Sequence, residues 1–219
     1  MTTSSPLERV LSGLLTAAAL VIAAVLVYRE LYPTGSAASK PRRVKEWQQL
    51  ASMGTRIGSE AAPLQLLEFT DIECPFCASF HSRFVALDSS YPGAISLVVL
   101  HYPIESHVNA AAAAIAAECA GAQGRFKPFL TTAFAMQDSL GHLAWTQLAR
   151  SAGVPDTTQF ASCLGSTAPP ARIAQHKAEA DRVSIRGTPT IIVNGWLYPS
   201  PPHDSILLRA MSTGSRFKP

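Results

Sequence analysis

Cys74-Pro75-Phe76-Cys77 is the segment of this 219-residue chain whose residue types and spacing most clearly permit chemistry. Two thiols separated by two residues can close a disulfide, and Pro75 suits the first turn of a helix, where no backbone donor is needed. At such a helix start Cys74 meets unpaired N–H groups and the positive end of the macrodipole, which favour an anion. A thiolate is such an anion, and thiols so placed ionise at about 3.5–7.5 rather than at roughly 8.5. The same spacing is also half of a zinc site. Zinc would need a second ligand pair, which Cys119 and Cys163, 44 residues apart, do not form, so no metal is expected.

These residues need a scaffold, and its pattern is that of an α/β domain from about Thr55 onward. Leu64 to Thr70 is an apolar run of strand length, and Pro75 to Asp88 repeats Phe76, Phe80, Phe84 and Leu87 at helical spacing. Ala94 to Tyr102 is a second, β-branched strand, so the three make a βαβ unit with parallel pairing and a right-handed crossover. An Ala-rich helical stretch follows over residues 107–184. Thr190 to Val193, a turn at Asn194-Gly195, and Trp196 to Tyr198 predict a hairpin. The expected last helix is His203 to Met211, and a short amphipathic helix is expected upstream over Val44 to Met53.

Glu68-Phe69-Thr70-Asp71 before the cysteines, with Gly187-Thr188-Pro189-Thr190 opening the later strand, resembles the DsbA-like family of thioredoxin-fold thiol–disulfide oxidoreductases. The resemblance covers roughly residues 58–211 and rests on two motifs in the family's order. It implies a thioredoxin fold, with one half at residues 55–106 and the other at 185–219, and an all-helical subdomain inserted at 107–184. It also implies a cis bond before Pro189 and no cofactor. A substrate thiolate would attack the exposed Cys74, Cys77 would leave as the buried partner, and a second substrate thiol would resolve the mixed disulfide. Thr188, Pro189 and Phe76 would present the substrate-binding surface. Glu68 matches the family's acidic residue beneath the site, which assists proton movement to the buried cysteine; read as a residue alone, it is equally a partly exposed strand carboxylate. Asp71 and Glu73 are expected to be solvated.

Two departures from the family pattern qualify this. Strongly oxidising members place His between the cysteines, whereas Phe76 supplies neither charge nor donor, so a milder oxidant nearer isomerase poise is expected. Thr188 stands where some oxidases carry an aliphatic residue. With four cysteines three pairings are open. If Cys74 pairs with Cys77, then Cys119 and Cys163 either form a structural disulfide between two helices or stay as buried thiols. His81 is read as a surface or satisfied histidine rather than a base, and Trp145 and Trp196 as core anchors.

Val10 to Tyr28 contains 19 residues without a charged side chain, close to the ~20 that cross a bilayer as a helix. The expectation is an uncleaved single-pass anchor over residues 1–28, followed by a basic juxtamembrane linker and short helix over 29–54. A cleaved signal peptide, with Ser36 and Ala38 near the cleavage site, is the alternative. Arg9 precedes the span while Arg29, Lys40, Arg42, Arg43 and Lys45 follow it, which alone would hold the domain in the cytoplasm. Long domains translocate largely regardless of such counts, and disulfide chemistry sets the expectation of an extracytoplasmic, periplasm-like location. Residues 1–45 hold six Lys/Arg and two acidic residues, net +4, leaving twelve and thirteen, net −1, for the remainder. The basic balance therefore belongs to the anchor and linker, and nucleic acid is not an expected partner. The expected partners are reduced or misoxidised secreted or envelope proteins and a membrane redox protein. Oxidase activity is the leading reading; a reductase, an isomerase, or a non-catalytic binding module or chaperone are the others.

Overall fold

The two apolar runs of the βαβ unit become β3 (Leu64–Thr70) and β4 (Ile95–His101), paired in parallel and joined by helix α3 (Pro75–Ser90). The computed structural model describes residues 6–31 and 40–219; in the first stretch, side chains are described only for residues 12 and 14–25. The chain divides into two compact units, Met1–Ser39 and Lys40–Pro219. The first contains helix α1 (Pro6–Leu31), on which Leu14, Leu15, Leu20 and Ile22 are exposed. Among the described residues no helix is long and apolar enough to cross a membrane. The expected span, Val10 to Tyr28, lies within α1, where side chains are described only for residues 12 and 14–25.

The second unit adds β1 (Arg42–Arg43), α2 (Trp47–Met53) and β2 (Thr55–Ile57) before β3, then α4 (Ala110–Gly121), α5 (Phe126–Ala135), α6 (Trp145–Ser151), α7 (Thr157–Leu164) and α8 (Ala168–Arg182) after β4. It closes with β5 (Thr190–Val193), β6 (Trp196–Tyr198) and α9 (Asp204–Thr213). The strand order is β1-β6-β5-β3-β4-β2, with only β3–β4 parallel. This is a thioredoxin-like α/β fold with helices inserted between the two halves of its sheet.

Both faces of the sheet are covered, which is why β3 and β4 read as continuous apolar runs rather than as alternating strands. Leu64, Leu66, Leu97, Val99, Ile191 and Val193 pack with Phe80 and Phe84 of α3 and with the inserted helices. On the opposite face Leu67, Phe69, Val98, Leu100 and Ile192 pack against Leu50 of α2 and Ala180 of α8. By alternation, Glu68, Thr70 and His101 fall on the first face, in a layer otherwise apolar.

Two expectations change. The compact domain starts at Lys40 rather than near residue 55, and the basic segment is docked rather than free. Arg42 and Arg43 pair with Leu197 and Trp196 of β6, and their guanidinium groups donate to the carbonyls of Val183 and Asn194. The reason is the hairpin turn: Asn194 (φ 46°) and Gly195 (φ 87°) are both left-handed, and a Cβ on Gly195 would lie 2.5 Å from the Arg43 guanidinium. Glycine there permits both the turn and the close approach.

Cys119 of α4 and Cys163 of α7 are disulfide-bonded, with Cα atoms 5.7 Å apart. In the chain-entropy account, closing a loop of 44 residues contributes about 4 kcal/mol. Replacing both cysteines with Ala should lower the unfolding free energy by roughly 2–4 kcal/mol. Denaturant titration of the variant checks this, and the reactivity of Cys74 should be unchanged.

Candidate active site

Cys74 is the N-cap of α3 with Pro75 in the first turn, so its sulfur sits beside the leading N–H groups of the helix, which have no partners within it. The Cys77 thiol donating to that sulfur, followed by the Cys77 and Phe76 N–H groups, overcomes burial and lowers the Cys74 pKa from 9.0 to about 5. Cys77 shifts the other way: burial, reinforced by the hydrogen bond it gives Cys74, holds it well above the ordinary thiol range. Both cysteines are free thiols in the structure. Cys74 is more covered than its expected exposure, at 4 % against 0 % for Cys77. The cause is the cis Thr188–Pro189 segment, whose Thr188 carbonyl accepts from Cys74 Sγ at 3.6 Å.

Glu68 lies on β3 between Val99 and Ile191 and is fully buried, which excludes the reading as a partly exposed carboxylate. Neither of its oxygens has a hydrogen-bond partner, nor has Thr70 Oγ1 two residues along the same face. Burial, partly offset by the Thr70 hydroxyl, which lies nearby but beyond hydrogen-bond distance, raises its pKa from 4.5 to about 8, so Glu68 is mostly protonated at neutral pH. A buried neutral acid beside a buried thiol is equipped to trade a proton with it.

Asp71 and Glu73 are not solvated, contrary to expectation. Asp71 is buried; its Oδ1 accepts the Glu73 N–H, and its Oδ2 accepts the Ile104 N–H at 2.8 Å and pairs with His107 Nδ1 at 2.9 Å. The Asp71 N–H in turn donates to Cys77 Sγ at 3.4 Å. Glu73 accepts from the backbone and side-chain amides of Asn109. Gln137 Nε2 donates to the carbonyls of Ile72 and Cys74. The loop carrying the cysteines is thus clamped from the β4–α4 connection and from the segment after α5. His107, Asn109 and Gln137 escaped sequence reasoning because their partners are more than thirty residues away and no local pattern marks them.

Phe76 is 71 % exposed and borders a cleft of about 290 Å³ with Phe80, Thr188, Pro189, Pro199 and Pro201. The predicted substrate-facing residues Thr188, Pro189 and Phe76 are therefore brought together beside Cys74, while Cys119 and Cys163 lie elsewhere in the helical layer. Arg83, also on its lining, is ion-paired with Asp204. The cleft is mostly apolar, as an extended unfolded segment would require.

The remaining histidines are tied up separately. His81 is buried rather than on the surface; its Nε2 pairs with Thr131 Oγ1, its ring lies 4.9 Å from that of Phe134, and burial followed by the Lys127 charge lowers its pKa to about 4. His101 and His107 have five residues between them, a spacing zinc sites use. They turn to different carboxylates, Glu118 and Asp71. Among the described residues no group of three or more His, Cys, Asp or Glu could hold a metal. Trp145 and Trp196 pack at the edge of the core.

A C-x-x-C at a helix start, one thiol acidified and the other suppressed, facing a cis-proline on a thioredoxin-like sheet, defines a protein-disulfide oxidoreductase. A family model described as Thioredoxin matches residues 51–211, and the chain belongs to that family. Among solved structures, a thioredoxin-like oxidoreductase from Silicibacter pomeroyi DSS-3 is 25% identical, with a TM-score of 0.67 over 80% of this chain and 99% of that one. BdbD from Bacillus subtilis shares the fold at 19% identity, with a TM-score of 0.63 over 74% and 94% of the two chains. The Na(+)/H(+) antiporter NhaA 1 of Mycolicibacterium gilvum is 32% identical over 160 residues, which are 72% of this chain and 26% of that protein. The chain thus spans about a quarter of the length of that relative.

Glu68 makes the stability of the fold depend on pH. Its pKa is higher folded than unfolded, so the folded state binds the extra proton between about pH 4.5 and about 8 and loses stability as pH rises through that window. Relative to wild type, Glu68→Gln should gain on the order of 3–4 kcal/mol across the window. Unfolding of the two reduced proteins at several pH values measures it; a constant difference would contradict the buried, unpaired carboxyl.

Proposed function

We propose that this protein is a membrane-tethered, extracytoplasmic thiol oxidase that passes its Cys74–Cys77 disulfide to cysteines of secreted or envelope proteins. The observation that carries the oxidase direction is the place of Cys74 as the N-cap of α3 beside the Cys77 thiol, which lowers the Cys74 pKa to about 5. An ionised Cys74 stabilises the dithiol form at pH 7 by about 3 kcal/mol over an ordinary thiol, on the order of 60 mV for a two-electron couple. What stabilises the reduced enzyme makes its disulfide the stronger oxidant.

A substrate thiolate attacks Cys74 Sγ and breaks its bond to Cys77, which leaves as a thiolate and takes up a proton because its buried charge is disfavoured. A second substrate thiolate then attacks the substrate sulfur of the mixed disulfide and expels Cys74 as the stabilised thiolate. Two electrons have moved from the substrate to the enzyme, and a membrane redox partner takes them back. The cleft at Phe76 and Pro189 supports unfolded protein as the substrate.

The location rests on separate supports. A disulfide at Cys119–Cys163 suits an oxidising compartment. The uncharged run from Val10 to Tyr28 supports a signal-anchor, transmembrane reading, and the matched relative is by name an ion antiporter, a membrane setting for a related domain.

A glutathione titration of Cys74–Cys77 should give a potential above about −220 mV, whereas a value below about −300 mV would mark a structural bridge. Cys74→Ser should abolish oxidation of a reduced, unfolded protein; full activity in that variant would contradict the mechanism.

A further inference from the structure

Each turnover changes the protonation of Cys77, yet Cys77 and Glu68 have no exposure. A proton given by Glu68 to the Cys77 thiolate must be replaced from solvent, and Glu68 has no hydrogen-bond partner through which to receive it. The same first face of the sheet holds two more buried polar atoms without partners, Thr70 Oγ1 and His101 Nδ1. Thr70 and His101 are register partners in the parallel β3–β4 ladder. Their side chains therefore rise from the same face on strands about 4.8 Å apart, with Glu68 one step back along β3.

His101 does not end in the core. Its Nε2 pairs with Glu118 Oε1 at 3.1 Å, and Glu118, 9 % exposed, lines an open cavity of about 350 Å³ with Thr55, Cys163, Ser166 and Arg172. That cavity lies beside the Cys119–Cys163 disulfide, away from the substrate cleft. The groups facing Glu118 are His101, Arg172 at 3.3 Å and the Thr55 hydroxyl at 3.3 Å. The neighbouring His176 is committed: its Nδ1 accepts the His101 N–H, so its Nε2 carries the hydrogen given to the Met53 carbonyl. In His101, with Nε2–H donated to a carboxylate, Nδ1 is left as a bare acceptor inside the core. An imidazole with one nitrogen on a carboxylate that lines an open cavity, and the other without a partner on the sheet face that also carries Glu68, is bifunctional, able to take a proton on one side and release one on the other.

We propose that His101 carries protons between the buried Glu68–Cys77 pair and solvent, through Glu118 and the cavity beside the Cys119–Cys163 disulfide. The proposal deepens the oxidoreductase reading and rests on it. When Cys77 leaves as a thiolate, Glu68 gives it a proton; His101, carrying its hydrogen on Nδ1 in the oxidised enzyme, passes that hydrogen to Glu68 directly or across the Thr70 hydroxyl and takes one at Nε2 from the Glu118 side, where solvent supplies it, leaving the Nε2–H tautomer of the dithiol form. On reoxidation the direction reverses. Bonds to sulfur change only at the cysteines, and the net exchange is one solvent proton. His101 touches neither sulfur; it is a positioning and relay residue that acts through Glu68. Substrate and proton then use openings with different linings, so a bound polypeptide can seal the cleft without blocking the proton.

The test uses the full chain with His101→Gln and Glu118→Gln, the second of which leaves His101 an acceptor of the same shape. A mixed disulfide is formed at Cys74 with glutathione, and its resolution by Cys77 is followed from pH 6 to 9 in H2O and D2O. Alkylation of Cys74 by iodoacetamide against pH is the control. Both variants should keep the wild-type alkylation profile while resolution slows on the order of tenfold or more, as expected on losing a positioned acid–base group, with an altered isotope effect. Wild-type resolution rates and isotope effects in either folded variant would overturn the relay. Should His101→Gln fail to fold, Glu118→Gln decides alone. Failure of the oxidoreductase reading is separately visible, because wild-type Cys74 would then show no acidic alkylation step.

Discussion

A negative charge held on Cys74 and refused to Cys77 is the constraint on which the rest of the domain depends. Two thiols one helical turn apart would otherwise titrate alike; here the N-terminus of α3 and the Cys77 thiol both serve Cys74, while burial isolates Cys77. Such a pair prefers the dithiol once electrons are offered, and that preference is what makes its disulfide reactive. The cost falls on the interior, which must contain an acid and a thiol without paired charges. Glu68 meets it by staying protonated at neutral pH.

Rigidity around the cysteines follows from the same requirement. The N–H groups that stabilise a thiolate act at their full strength only if they do not have to reorganise, and the loop before α3 is fastened at Asp71, Glu73 and the Ile72 and Cys74 carbonyls. Its fasteners come from the inserted helices and their leading connection, so the insertion is part of the active-site support rather than an appendage. The disulfide between α4 and α7 braces that layer. The basic segment, docked on β6, closes the opposite edge of the sheet, where an unpaired strand would otherwise invite association.

What could be read from the sequence was what is encoded locally. The cysteine motif, the helix it opens, the strands around Leu66 and Val98, and the Asn194-Gly195 turn each carry their signal within a few residues. The β1 and β2 strands, of two and three residues, are too short to show a period, and their pairing is settled by neighbours far away in sequence. The polar network was hidden for the same reason. A carboxylate such as Asp71 or Glu118 looks solvated until His107 or His101 is folded against it, and the burial of Glu68 depends on the helices that cover its face. Chemistry carried by adjacent residues was legible; chemistry carried by contacts across the sheet was not.

The decisive measurement is the ionisation of Cys74, followed through the ultraviolet absorbance of the thiolate in the reduced full-length protein as pH is raised. A single step near pH 5, absent in Cys74→Ser, is expected, with no second thiol titrating through the neutral range. A first step only at about 8.5, the value of an ordinary free cysteine, would contradict it.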